Sequence, residues 1–236
     1  MTTMQRLIIS MALLLTFHTI RSQVLISILF GEKLNSDKLI FGLMLGNGWN
    51  TLTGYASSGA TSNFNLGLFL NFKLKDRFSI QFDALAKYKM GADGLPVYPL
   101  DDHLLDSIFQ QGQLERTINY LALIPTIQYR VWNNLHAELG PHIALRTKAK
   151  DVFTTNTEAG ELQLEKNRKA STTLFDVGIA TGISWHFNKG SGVKLSARYY
   201  AGLTDMFKEE TGMQSSRSVQ LNVYIPVGRE KNNKKN

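Results

Sequence analysis

Residues 117–148 read TINYLALIPTIQYRVWNNLHAELGPHIALRTK, and this stretch constrains the fold more than any other. In its second arm Leu135, Ala137, Leu139, Pro141, Ile143 and Leu145 share one face. His136, Glu138, Gly140, His142, Ala144 and Arg146 share the other. In the first arm Leu121, Leu123, Pro125, Ile127, Tyr129 and Val131 alternate with Ala122, Ile124, Thr126, Gln128 and Arg130. A period of two is a strand with one oily and one polar face. Trp132-Asn133-Asn134 forms the turn. Each arm runs for about 11 residues or more, against a usual strand length of ~5–6. Roughly 9–11 tilted residues are what a strand needs to cross a bilayer.

The same alternation recurs on both sides of this hairpin. Strands are predicted over Lys38–Asn50, Asn63–Leu74 and Arg77–Met90 before it, and over Thr172–Phe187, Val193–Thr204 and Arg217–Val227 after it. Long connections, Thr51–Ser62, Gly91–Glu115, Ala149–Ser171 and Asp205–Ser216, alternate with short turns at Lys73–Asp76, Trp132–Asn134 and Asn188–Gly192. A helical turn is open to Asp106–Gln113 within the second long loop. Short turns on one side, long loops on the other and an even strand count characterise an outer-membrane barrel. The expected fold is all-β: an eight-stranded antiparallel up-and-down transmembrane β-barrel. Trp132, Trp185, Phe187, Phe72 and Phe78 would form the aromatic girdle near the short turns. Trp49, Phe64, Tyr88 and Phe175 would form the one near the long loops, as two membrane interfaces require. A soluble β-cup alternates in the same way with its oily face inward. Strand length, the girdles and the glycines on the polar face favour the membrane.

The two ends of the chain differ from its middle. Arg6, the apolar run Leu7–Ile20 and Arg21-Ser22-Gln23 make residues 1–22 a signal peptide, with the mature chain beginning near Gln23. Residues 23–37 form a rim segment, strand or helix, residues 38–228 the barrel, and residues 229–236 a basic tail. Loss of Arg6 and Arg21 takes the formal charge from +7 to 7 − 2 = +5. No basic stripe or nucleic-acid module accompanies that charge, so no nucleic-acid partner is expected. The chain has no cysteine, which removes lipoprotein anchors, disulfides and thiolate metal sites.

Parity also assigns the interior. Asp83, Glu138 and Asp176 point inward with Lys87, Lys89, Arg130, Arg146, Lys194 and Arg198. Eight strands leave a lumen that side chains just fill, and an unpaired buried charge is costly. Counted up from the short turns, Arg130 should meet Glu138, Asp83 should meet Arg198, and Asp176 should meet Arg146. These six residues form the expected lumen network, and surplus Lys should reach a mouth or water. An anion path lined by the cations is the alternative. Leu139, Ile179 and Leu221 should face lipid, and Gly178 and Gly182 the interior.

Reactive chemistry has few candidates. Asp101, Asp102, His103 and Ser107 in the second long loop could supply a base and a hydroxyl, but a solvated loop carries the same letters. His136 and His142 are six residues apart, roughly 20 Å along a strand, too far for one ion. Gly46-x-Gly48 lies on a strand and leads into no helix. No catalytic, cofactor or metal residue is assigned, and the chain is not expected to be an enzyme. The expected role is structural or interactive, in the cell envelope, with the lumen plugged by polar side chains; a subunit of a larger envelope machine and an enzyme acting on lipid at the outer rim are the alternatives.

Four segments also carry a family likeness: INYLALIPTIQYRV (118–131) with LHAELGPHIALRTKAK (135–150), then LFDVGIATGISW (174–185) and VKLSARYYAGLTDM (193–206). In that order they resemble the PorT-type outer-membrane β-barrel family of Bacteroidota. One departure is an apparent extra residue between Tyr120 and Pro125, which implies a bulge there. Another is the basic tail in place of a terminal aromatic. The resemblance implies a barrel in a Gram-negative outer membrane with both termini periplasmic. Some relatives are implied in type IX secretion, so other envelope proteins join outer-membrane lipid as expected partners of a monomeric barrel.

Overall fold

The computed structural model describes residues 38–55, 58–158, 160–187, 192–207 and 210–227. The expected signal peptide, the rim segment 23–37 and the tail 229–236 lie outside the described residues.

Among the described residues, nine strands and one helix follow in order: β1 (Leu39–Leu52), β2 (Thr61–Lys75), β3 (Phe78–Leu95), α1 (His103–Phe109), β4 (Gln113–Trp132), β5 (Leu135–Thr157), β6 (Gly160–Asn167), β7 (Phe175–His186), β8 (Lys194–Gly202) and β9 (Ser216–Pro226). Each strand of the ring pairs antiparallel with its neighbours, β1 pairs with both β2 and β9, and β4 pairs with β5. Eight strands thus close on themselves, and β6 hangs on β5 outside the ring. A closed ring satisfies every backbone donor and acceptor within the wall, which lipid demands.

Burial decides which face meets lipid. Leu139 is 58% exposed, Ile179 45% and Leu221 51%, while the polar Gln128, Glu138 and Arg198 are buried. A soluble cup would show the reverse. Gly178 is buried and Gly182 half-buried on the inner side. In β4 the outward residues change from apolar over Leu121–Val131 to Gln113, Glu115, Thr117 and Asn119 above. The membrane therefore ends near Tyr120, and β3, β4 and β5 continue past it as a raised wall.

Two bulges redraw the interior. Pairing of β2 and of β4 with β3 shifts register between Leu85 and Tyr88. That extra residue turns Tyr88 inward, where it is buried, and takes it out of the upper girdle. It also turns Lys87 outward, its ammonium 5.3 Å from the Phe64 ring centroid, and removes Lys87 and Lys89 from the lumen set. The second bulge puts Thr147 of β5 opposite the Asn119–Tyr120 step. The bulge expected between Tyr120 and Pro125 is not in β4, which alternates without a break from Gln113 to Arg130, but in the strands on either side of it.

The third long loop is also different from its expected form. Instead of irregular chain over Ala149–Ser171, β5 runs to Thr157 and returns as β6 in register from Lys150↔Asn167 to Thr157↔Gly160. In the second loop, α1 starts three residues before the expected helical turn, capped by Asp102, whose carboxylate accepts from the Leu104 and Leu105 amides. Its Phe109 is buried, 6.2 Å from Phe153 of β5.

Candidate functional site

The lumen is layered. Nearest the short turns, Glu138 accepts from Gln128 (3.0 Å), Lys194 (3.3 Å), Ser196 (3.0 Å) and Arg198 (3.0 Å). Arg198 also donates to Asp83 at 2.8 Å, and Asp83 accepts from Tyr224 at 2.9 Å and Gln81 at 2.7 Å. Arg198, Asp83 and Glu138 are all buried. One guanidinium held by two carboxylates, with a lysine beside it, balances to neutral and fills the barrel core with directed bonds.

Above this layer the lumen becomes aromatic. His142 lies between Tyr200 (4.0 Å between centroids) and Tyr88 (5.3 Å), and Tyr88 leans on Tyr120. Tyr200 donates to Asp176 at 2.7 Å. Higher still, Met90, Ile118, Met206, Phe109, Phe153 and Leu114 form an apolar plug under the outer loops.

The outer mouth is tied by an ionic knot. Arg116 donates to both oxygens of Asp151 (2.7 and 2.8 Å), to Glu210 (2.7 Å) and to Tyr55 (2.6 Å), with its guanidinium 4.2 Å from the Phe207 ring centroid. Arg168 donates to the same Glu210 oxygen at 3.1 Å, and Tyr98 donates to Asp151 at 2.9 Å. The first loop gives Tyr55, the second Tyr98, the third Arg168 and the fourth Glu210, so a single knot joins all four. Burial pushes the Tyr55 hydroxyl up from its ordinary pKa, and its bond to Glu210 adds to this. Burial does the same at Tyr98, reinforced by the Asp151 charge. Burial opposes the charge on Arg116, but Asp151 outweighs it and holds the guanidinium above its usual range.

Of the six residues expected to form the lumen network, the structure brings together Asp83, Glu138 and Arg198. Arg130 does not meet Glu138. The register sets Gln128 opposite Glu138 and Arg130 opposite His136, one pleat nearer the mouth. Asp176 does not meet Arg146 either. Asp176 stands opposite Ala144, and Arg146, a pleat higher, donates instead to the Lys169 carbonyl. Parity missed the outer knot because Asp151 fell in a segment read as a loop and Arg116 fell between the second loop and the hairpin. It also missed the stacking of His136 on His186 at 3.9 Å, which only the β5–β7 register reveals. In the second loop, Asp102 caps α1 and Ser107 donates to the Leu104 carbonyl.

Residues 34–208 match the family described as outer membrane protein beta-barrel domain. The chain belongs to that family. Solved barrels of similar shape include Neisserial surface protein A, 13% identical with a TM-score of 0.42, over 78% of this chain and 96% of that one. The attachment invasion locus protein Ail of Yersinia pestis is 10% identical with a TM-score of 0.40, over 81% and 99%. Outer membrane protein W of E. coli is 12% identical with a TM-score of 0.33, over 79% and 98%. These likenesses are distant, and no residue role follows from them. No curated protein matches the chain in sequence.

Proposed function

We propose that this outer-membrane barrel works as a closed scaffold that binds other envelope components, rather than as a pore or an enzyme. The observation that carries this reading is the filled lumen. The Asp83–Arg198–Glu138 layer blocks one half, and the apolar plug and the Arg116 knot close the other. The barrel stands with its short turns and both termini on the periplasmic side and its long loops outside, as the girdles and loop lengths suggest. Single-channel recording in a planar bilayer tests it. Silence from the wild-type monomer is expected, with leak appearing in Arg198→Ala. Steady anion-selective conductance from the wild type would replace the scaffold with a pore.

The four strand motifs favour one setting for such a scaffold. Their resemblance to the PorT-type family of Bacteroidota supports a place beside a type IX-like secretion machine. Crosslinking in the intact envelope followed by mass spectrometry tests this: secretion-machine components should be captured, and recovery of the lone barrel would remove this setting.

A further inference from the structure

The lumen has two unlike ends. The end at the short turns opens into a vestibule of about 950 Å³. Among the described residues its ionisable lining is six cations, Lys38, Lys73, Lys75, Arg77, Arg130 and Lys194, two histidines, His136 and His186, and one carboxylate, Asp76; Lys38 and Lys73 make further contacts of their own. Glu138 beneath the floor offsets Lys194. Among the described residues, no carboxylate lies within ion-pair distance of Lys75 or Arg130, because Arg198 and Lys194 already hold Glu138, Arg130's expected partner.

We propose that this vestibule receives an acidic peptide segment of a partner protein. The inference rests on the scaffold reading and names the chemistry of its partner. Three observations lead to it. First, a concave mouth with one sign of charge and low-dielectric walls focuses its field on an entering anion. Second, the floor of the vestibule lies within the ring of strands, with Phe69, Ser79 and Gln81 among its lining, so lipid headgroups reach only its rim, where Phe78 and Trp132 stand. Third, it joins apolar wall to lysine-rich rim and is far larger than a lone anion needs. Lysines are compact charges on flexible stems, suited to carboxylates at varied positions, whereas phosphate favours the fork of arginine. A chain that lays carboxylates on the rim and aliphatic stems on the wall meets both requirements. Trp132 also lines the vestibule and supplies a reporter once Trp49→Phe and Trp185→Phe remove the other two tryptophans.

The test uses the full mature chain in nanodiscs of zwitterionic lipid, with labelled hexaglutamate and hexaglutamine as probes. Hexaglutamate should bind, shift Trp132 emission and weaken as salt is raised; hexaglutamine should not bind. The paired substitution Lys75→Glu/Arg130→Glu should weaken hexaglutamate about tenfold or more, while Arg130→Lys holds it within about threefold, as a charge-led contact requires. Lys166→Glu, at the far end of the barrel, should change nothing. A circular-dichroism melt confirms that each variant is folded. Equal binding of the two peptides would overturn the proposal, as would unchanged binding by the double variant. Displacement by pyrophosphate at equal charge concentration would reassign the vestibule to small anions, and binding only to anionic vesicles would reassign it to lipid. A conducting wild-type barrel would sink the scaffold reading and leave this binding result untouched, so the two failures are distinguishable.

Discussion

Arg198 is the side chain on which the interior depends most. Its guanidinium reaches Asp83, Glu138 and Tyr224, all of them buried. Arg198→Met would leave two carboxylates facing one lysine, and breaking a buried pair in this way costs about 3–5 kcal/mol. Adding Asp83→Asn should recover part of that loss. Guanidinium unfolding of the micelle-bound protein measures both. On the outer face Leu139→Arg should cost ~2–4 kcal/mol near the midplane, read by the same titration. Parity and depth placed Asp83 beside Arg198 because β8 alternates without a break and Asp83 lies below the β3 bulge. They misplaced Lys87 because one inserted residue reverses every side chain above it.

β4 carries no bulge between Gln113 and Arg130, and β3 and β5 take the irregularities beside it. Both bulges fall opposite its Ala122–Asn119 stretch, where the membrane ends and the raised wall begins. Close approach marks the lower part of the same seam. A Cβ on Gly140 would sit 1.9 Å from the Pro125 carbonyl oxygen, so Gly140→Ala must push β4 and β5 apart. We expect a loss of about 1–3 kcal/mol, as for other overpacked sites, visible as a lower unfolding midpoint. At the roof, Asp102→Ala should cost the α1 cap ~1 kcal/mol. Faster amide exchange at Leu104 and Leu105, with the transmembrane strands unchanged, would register it. The eight ring strands were legible because lipid on one side and a filled lumen on the other force strict alternation. GELQLEKN of β6 was not. Only Leu162 and Leu164 mark an apolar face in it, a run too short to separate it from a loop, and it becomes a strand because β5 offers an edge.

At the scale of the whole molecule, the described residues lace one mouth shut and leave the other open. The lacing is sensitive to alkali. Tyr55 and Tyr98 hold their protons more tightly in the folded knot than in the unfolded chain, where tyrosine titrates near about 10. A raised acid of this kind contributes its stability below that value and loses it as pH climbs through the folded one. Absorbance at 295 nm should show late-titrating tyrosines, and Tyr55→Phe/Tyr98→Phe should lower their amplitude by the two in the knot. The outer loops should loosen only well above pH ~10, while the ring persists. The knot was illegible in the sequence because its members come from four loops and from β4 and β5, with a sequence separation of 155 between Tyr55 and Glu210. The β5–β6 arm leads to one further point. β5 stays paired with β4 as it exchanges β7 for β6, so the ring never depends on what lies beyond Lys150. Evolution or an engineer can therefore lengthen the arm by two residues per strand, or graft a foreign epitope onto its tip. The wall below would keep its inside and its outside.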